Sequence, residues 1–519
     1  MDTTKEFGRV ATPPPSAKGE SQNDDRSYQD DLEKQSVHDN APSDTVVGEQ
    51  PIKDPNIVDW DGPDDPANPM NWSLKKKVTA IGIVSILTFL SPFGSTVTSP
   101  ASADIMATFH STNETLEIFV TSSYLLGYVF GPLVLAPLSE LYGRAIVYNV
   151  CNFFFVIWSI ACALANNLSA LIVFRLFAGL AGSAALILGA GTIADMVPLE
   201  KRGLAMMGWI LGPVLGPTLG PLVAGYIARA KGWRWIFWLV SILAGAIFLV
   251  SLLFLHESYA YAILERKTKR LRKESGNSSL RSALDSGKDP KELFKTAIVR
   301  PLKMLFLSPI VLLLSLYMAT IYGYQYLMFT TFPRVFKGQY GFSDTSVGLV
   351  YLGIGAGFLV ALVFSGMTSD RLVKYLTKRN GGTAKPEYRL PLLFVGAIIA
   401  PIGLFLYGWT AEKKVHWIVP IIGSAFLGAA TFNIMMPSLG YLVDAYTVYA
   451  ASATAAATVT RSLLGALLPL AGNRMYDALG VGWGTSLLGF IAVAFAPVPL
   501  IFWKYGERIR NSGLSQVKF

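Results

Sequence analysis

Between Val78 and Trp503 long apolar blocks alternate with short polar ones. There are twelve blocks, six on each side of one basic stretch near Tyr261–Lys303. A block of about twenty apolar residues is long enough to cross a bilayer as a helix, and hydrocarbon leaves an open chain no other way to satisfy its backbone. The pattern predicts an all-α membrane protein of twelve transmembrane helices in two pseudo-symmetric six-helix halves. The blocks lie near 78–99, 117–138, 145–165, 168–194, 205–228 and 234–256, then 305–332, 345–368, 390–409, 417–443, 450–473 and 482–503. Five regions follow: an acidic tail 1–72 expected to be disordered, a first half 73–256, a basic central loop 257–303, a second half 304–503 and a short tail 504–519.

Charge sets the orientation. Residues 1–74 hold sixteen acidic and six basic residues, which leaves 19 acidic and 38 basic residues for the remainder. Those bases sit in loops between blocks, which speaks against nucleic-acid binding. With the amino terminus inside, the cytoplasmic side receives 28 Lys and Arg and the other side eight, so both termini are expected in the cytoplasm. Tail 1–72, rich in Pro, Ser, Asp and Glu, has too little apolar surface to fold. In the central loop, Glu265–Glu274 reads either as a surface helix facing anionic lipid or as a solvated linker. Of four Asn-x-Ser/Thr sites, at Asn71, Asn113, Asn167 and Asn277, only Asn113 falls in an outer loop of useful length and is the expected glycosylation site. Cys151 and Cys162 share one apolar block and read as packing residues.

Arg175 in the fourth block and Arg461 in the eleventh are cations within spans. Such a charge is expected to face a cavity or a partner; the plainer reading is a packed arginine bonded to carbonyls. No acid lies deep in a block. Glu117, at the outer start of the second, is either a coupling group or a solvated helix-start acid. In the fifth block Gly208, Gly212, Gly216 and Gly220 recur every four residues with Pro213, Pro217 and Pro221 behind them, the mark of a kinked helix with a close-packing face. After the second block Glu140 and Arg144 align with Asp370 and Lys374 after the eighth, and Asp195 aligns with Asp444. These groups, with Arg371, read as a latch of acid–base pairs repeated in both halves. The expected pairs are Arg144 with Asp195, and Arg371 or Lys374 with Asp444. Tyr322, Gln325 and Tyr326 of the seventh block and Asn433 of the tenth offer rings and a few polar groups to a large apolar ligand. Two halves with a site between them at mid-membrane is the layout of a secondary transporter.

From Asp59 onward the chain resembles the major facilitator superfamily. Ala136–Ala145 is similar to the family's G-x-L-x-D-R-x-G-R-K loop: Leu138, Gly143 and Arg144 match, Glu140 replaces Asp, and Ala136, Leu141 and Ala145 depart from it. Arg175 with Gly179 and Gly182 resembles the helix-four signature, whose arginine is implicated in proton coupling. Gly203, Gly212, Gly216-Pro217 and Gly220 resemble the helix-five antiporter signature, with Pro221 in place of its final Gly. Asp65-Pro-Ala-Asn-Pro-Met-Asn-Trp72, His256-Glu-Ser-Tyr259, Glu265-Arg-Lys267, Asp444-Ala-Tyr446 and Arg461-Ser462 resemble fungal twelve-span drug:proton antiporters, which typically have Pro where His256 stands. The resemblance implies proton-coupled export of a drug, toxin or self-made metabolite from the plasma membrane. It implies no cofactor or metal, a small-molecule substrate and the bilayer as partners, and a monomer. A nutrient symporter of the same fold, or a receptor or scaffold with the acidic tail as its arm, are the alternatives.

Overall fold

The computed structural model describes residues 56–285, 287 and 289–511. Tail 1–55 and residues 512–519 lie outside the described residues. The first six long helices are α1 (Leu74–Thr96), α3 (Glu114–Tyr142), α4 (Arg144–Ala163), α5 (Leu168–Met196), α6 (Leu199–Lys231) and α7 (Arg234–Phe254), with a short α2 (Ser102–Thr108) after α1. The central loop contains α8 (Ala260–Ser275) and runs into α9 (Pro290–Leu307). The second set is α10 (Pro309–Tyr340), α11 (Asp344–Arg379), α12 (Pro391–Glu412), α13 (Ile418–Ala445), α14 (Ala450–Leu467), α15 (Pro469–Phe495) and α16 (Pro497–Asn511).

Local chemistry sets these ends. Asn113, Asn167, Ser308 and Ser343 each accept from a first-turn amide of the helix that follows, satisfying groups a helix leaves open. Gly143, Gly232 and Gly341 take positive φ at the turns, where a side chain would be strained.

Eleven stretches among the described residues are long and apolar enough to span a membrane. The expected span outside these eleven is α14, rich in Ala and Thr, which packs between α10 and α3. Leu468 keeps helical backbone, so α14 continues into the start of α15. The break comes at Gly480, φ +74°. The eleventh span therefore runs from Ala450 to Leu479, longer than the expected 450–473, and the twelfth continues through α16.

The halves repeat one packing plan. In the first, α3 packs on α5, α1 on α6, and α4 on α5 and α7; in the second, α11 packs on α13, α10 on α14, and α12 on α13 and α15. They meet along two equivalent seams, α6 with α11 and α3 with α14. Each half has its own apolar core. Leu125 of α3 and Val214 of α6 join the second-half core across those seams.

The glycine stripe of α6 has a definite partner. A Cβ on Gly212 would stand 2.9 Å from the Phe89 amide, on Gly216 2.7 Å from the Phe89 carbonyl and on Gly220 2.6 Å from the Phe93 carbonyl. Three glycines thus seat α6 on the α1 backbone inside the first half. Gly208 differs from expectation. It is exposed with nothing near its missing Cβ, because it lies a turn before the helices meet.

At the face where the bases gather, the order begins earlier than the expected tail boundary. Ile57–Val58 (β1) pairs in parallel with Arg281–Ser282 (β2). Lys267 Nζ donates to the Asp59 carbonyl at 2.9 Å, and Asp65 accepts from the amides of Asp61 and Ala67. Those amides hold its carboxyl below the usual carboxylate range. Residues 56–72 are therefore docked on the central loop, whose expected surface helix is α8.

Two substitutions separate these roles. Gly216→Leu is expected to lower stability by about 1–3 kcal/mol through overpacking against Phe89. Gly208→Ala is expected to be neutral or to add up to about 1 kcal/mol of helix propensity. Thermal unfolding of the purified protein in detergent reads both.

Candidate functional site

Arg175 is 1% exposed. Its Nε donates to the Val120 carbonyl of α3, Nη1 to Gly94 at 3.2 Å and Nη2 to Ser95 at 2.7 Å. Gly94 and Ser95 belong to the last turn of α1, where helix carbonyls lack internal partners and attract cations. The rings of Tyr124 and Phe237 flank the guanidinium at 5.1 and 5.8 Å. The expected cavity-bordering arginine is thus a clamp that joins α1, α3 and α5 with all three nitrogens occupied. This matches the plainer reading, because the carbonyls supply the partners that an acid would otherwise supply.

Between the halves the side chains form a hydroxyl- and ring-rich seam. Ser91 Oγ lies 2.7 Å from Tyr128 Oη, and Ser95 Oγ 2.9 Å from Tyr326 Oη of the other half. Tyr351 Oη donates to Ser99 Oγ at 2.8 Å and to the Phe329 carbonyl at 2.7 Å. Ser99 also donates to that carbonyl. Tyr322 packs against Tyr326 with the rings tilted and their centroids 4.9 Å apart, and Arg461 lies over Tyr322 at 5.4 Å. Of the expected lining residues, Tyr322 and Tyr326 reach the seam. Gln325 is buried with Oε1 unpartnered. Asn433 accepts from Ser365 at 2.7 Å and donates to the Ala429 carbonyl at 3.0 Å, inside the second half. Asn433 therefore ties α13 to α11, and both its polar atoms are occupied. Sequence reasoning did not single out Ser91, Ser95, Ser99, Tyr128 or Tyr351. Hydroxyls at helical spacing in α1 were the available signal.

Toward the face opposite the bases, Glu117 accepts from Ser102 Oγ at 2.7 Å. It lines a cavity of about 320 Å³ with Glu114, Arg334 and Lys337. The two cations pair within their own half, Arg334 with Asp477 and Lys337 with Asp344. Asn113 is exposed on the same face and accepts from the Thr115 and Leu116 amides.

On the basic face, Arg144 Nε and Asp195 Oδ2 are 2.8 Å apart, as the repeat led us to expect. Glu257 adds to this corner, accepting from the amides of Arg144 at 2.8 Å and Ser258 and Tyr259 at 3.1 Å. Glu140 is not bonded to Arg144; it lines a cavity of about 380 Å³ with Arg300, Tyr259 and Tyr261. In the second half the expected pair is wrong. Asp444 binds Arg389, not Arg371 or Lys374. The reason is that α11 stays helical to Arg379, so Asp370, Arg371 and Lys374 sit exposed on its projecting end. Arg389 stands just before α12 as Arg144 opens α4, and it is the true counterpart. Both arginines rest on a glycine four residues before the acid: a Cβ on Gly191 would meet the Arg144 guanidinium at 2.9 Å, and one on Gly440 the Arg389 Cδ at 2.7 Å. The matching strings Gly191-Thr-Ile-Ala-Asp195 and Gly440-Tyr-Leu-Val-Asp444 carried this signal.

Two helical halves with a polar seam between them and mirrored ion pairs at one face form the frame of a secondary transporter. The chain belongs to the major facilitator superfamily, whose sequence profile matches residues 84–469. It is 59% identical to the MFS-type transporter penM of Penicillium rubens over 91% of this chain and 92% of that one. It is 50% identical to the MFS transporter cpaT of Aspergillus oryzae, over 89% and 93%. The efflux pump radE of Floropilus chiversii is 45% identical over the full length of both. The xylose transporter XylE from E. coli, partially occluded and inward open, shares the fold with a TM-score of 0.62. At 19% identity over 83% of this chain and 98% of that one, the likeness is one of fold alone.

Replacing Arg175 with Gln is expected to destabilise the protein by about 3 kcal/mol or more, since it strands buried carbonyls; Lys recovers only part, lacking the planar fork. Thermal unfolding of purified variants in detergent measures this. At the basic face, Arg389→Glu is expected to cut transport and the double change with Asp444→Arg to restore part of it. Arg371→Glu and Lys374→Glu leave it unchanged. Uptake into vesicles compares the four.

Proposed function

We propose that the protein is a proton-coupled exporter of a small lipophilic compound, working by rocking of its two halves about the seam. The observation that carries this reading is identity of 45–59% along nearly the whole chain to fungal transporters, one of them an efflux pump. The seam supports it: its rings and hydroxyls suit a mostly apolar ligand with a few polar groups. Both termini are inferred to be cytoplasmic, because the basic face carries most of the Lys and Arg; the plasma membrane is the location we infer from the resemblance to fungal drug:proton antiporters. No cofactor is required; a proton gradient is the energy source, and the protein acts as a monomer without catalysing a reaction. The Arg144–Asp195 and Arg389–Asp444 pairs act as a cytoplasmic latch. The Arg389–Asp444 pair is about a third exposed, and exposed pairs contribute only about 0–1 kcal/mol, a size suited to biasing conformers; the Arg144–Asp195 pair is more buried, so breaking it costs more. Asn113, exposed on the far face, is the proposed glycan acceptor.

Proteoliposomes test the energetics. An imposed gradient, acid on the lumenal side, is expected to drive a labelled lipophilic probe into inside-out vesicles. Collapse of the gradient by an uncoupler is expected to abolish accumulation. Accumulation that ignores the uncoupler would remove proton coupling. Loss of glycosidase-sensitive mobility in Asn113→Gln checks the glycan and the side of the membrane.

A further inference from the structure

Arg175 and Arg461 both lie within spans, and they differ in one respect. Arg175 spends every nitrogen on a carbonyl. Arg461 has no hydrogen bond and no ion pair to any described residue, and its Nε is shut from solvent with no partner. Its one close neighbour of note is the Tyr322 ring. An unpartnered cation inside a bilayer is costly. The bundle nonetheless holds one where the halves meet.

The placement is specific. Gly465, one turn along the same face of α14, would put a Cβ 2.9 Å from Tyr322 and 3.3 Å from Leu125 of the other half. The Arg461 face of α14 therefore looks into the seam. Toward the basic face the same two helices, α3 and α14, line the 380 Å³ cavity through Pro132 and Ala455. Arg461 stands six residues beyond Ala455, about 9 Å of helix rise. The acids of α3 lie at its ends, Glu114 and Glu117 at one and Glu140 at the other, and that of α5 at its end, Asp195. An organic cation in the seam would meet a guanidinium and phenols and no carboxylate.

We propose that Arg461 is the recognition point for an acidic group on the transported compound, a carboxylate or comparably acidic enol on an otherwise apolar molecule. The proposal rests on the exporter reading and narrows its substrates to lipophilic organic acids. A free guanidinium offers a planar, two-pronged donor that fits such an anion. The rings of Tyr322 and Tyr326 cover the apolar part.

The test uses full-length protein in detergent and three probes of one shape: 1-pyrenebutyric acid, its methyl ester and 1-pyrenebutylamine. The acid is expected to bind roughly tenfold tighter than the ester, with the amine weakest. Arg461→Gln brings the acid to the affinity of the ester, and Arg461→Lys keeps part of the preference. Without probe, Arg461→Gln is expected to melt no lower than the parent, since the guanidinium it removes is half-buried and makes no hydrogen bond or ion pair to a described residue. Equal binding of acid and ester, no binding of the acid, or a marked fall in the melting temperature of Arg461→Gln each overturns the proposal. Proteoliposomes separate it from the exporter reading. Gradient-driven movement of the ester but not the acid removes the acid site and keeps the exporter. Acid-selective binding with no gradient-driven movement of any probe keeps the site and removes the exporter.

Discussion

Everything in this structure depends on the need to satisfy backbone polar groups without water. In hydrocarbon each unpaired amide or carbonyl costs several kcal/mol, so every interruption of a helix requires a local remedy. Where α1 ends below the surface, its last carbonyls fall to Arg175. Where helices press together, glycines let backbones touch, as Gly212, Gly216 and Gly220 do against α1. Both devices act on the same helix, α1, near its end.

A rigid half is what a rocking mechanism needs. The halves contact each other through α6 with α11 and α3 with α14, and the packing plan makes these two seams equivalent. Side-chain bonds between the halves are reversible: Tyr326 to Ser95, Tyr351 to Ser99, Ser99 to the Phe329 carbonyl and Arg229 to Thr345. Hydroxyl contacts of this kind exchange readily for ligand or water. Most charged groups are segregated to the two faces, where pairs such as Arg334–Asp477 and Arg389–Asp444 are partly exposed and screened by solvent. Arg175 and Arg461 are the cations within spans that break that rule, and Arg175 has its carbonyls.

The repeat between halves was legible, and one of its details was misread. Aligning loops after the second and eighth spans matched Arg144 to Lys374. The structure shows that the equivalence lies at the starts of α4 and α12, and so matches Arg144 to Arg389. Helix α11 overruns the position where α3 stops, since nothing after Asp370 plays the part of Gly143 until Asn380 and Gly381. A similar lesson applies to α14: small residues lower its hydropathy and also allow it to sit between two helices.

Hydropathy and charge alone determined that this chain is a helical membrane protein in two halves, because bilayer thickness and backbone satisfaction leave one solution for such a pattern. Sequence motifs sufficed for the family and for the Arg144–Asp195 pair. Only the tertiary structure decided what each arginine within a span does. Arg175 and Arg461 look alike in sequence, one cation within one apolar span. Their difference is set by carbonyls and rings brought from other helices, Gly94, Ser95 and Val120 to one and the Tyr322 ring to the other. Such partners are separated along the chain by tens to over a hundred residues, and no local pattern records which of them will meet.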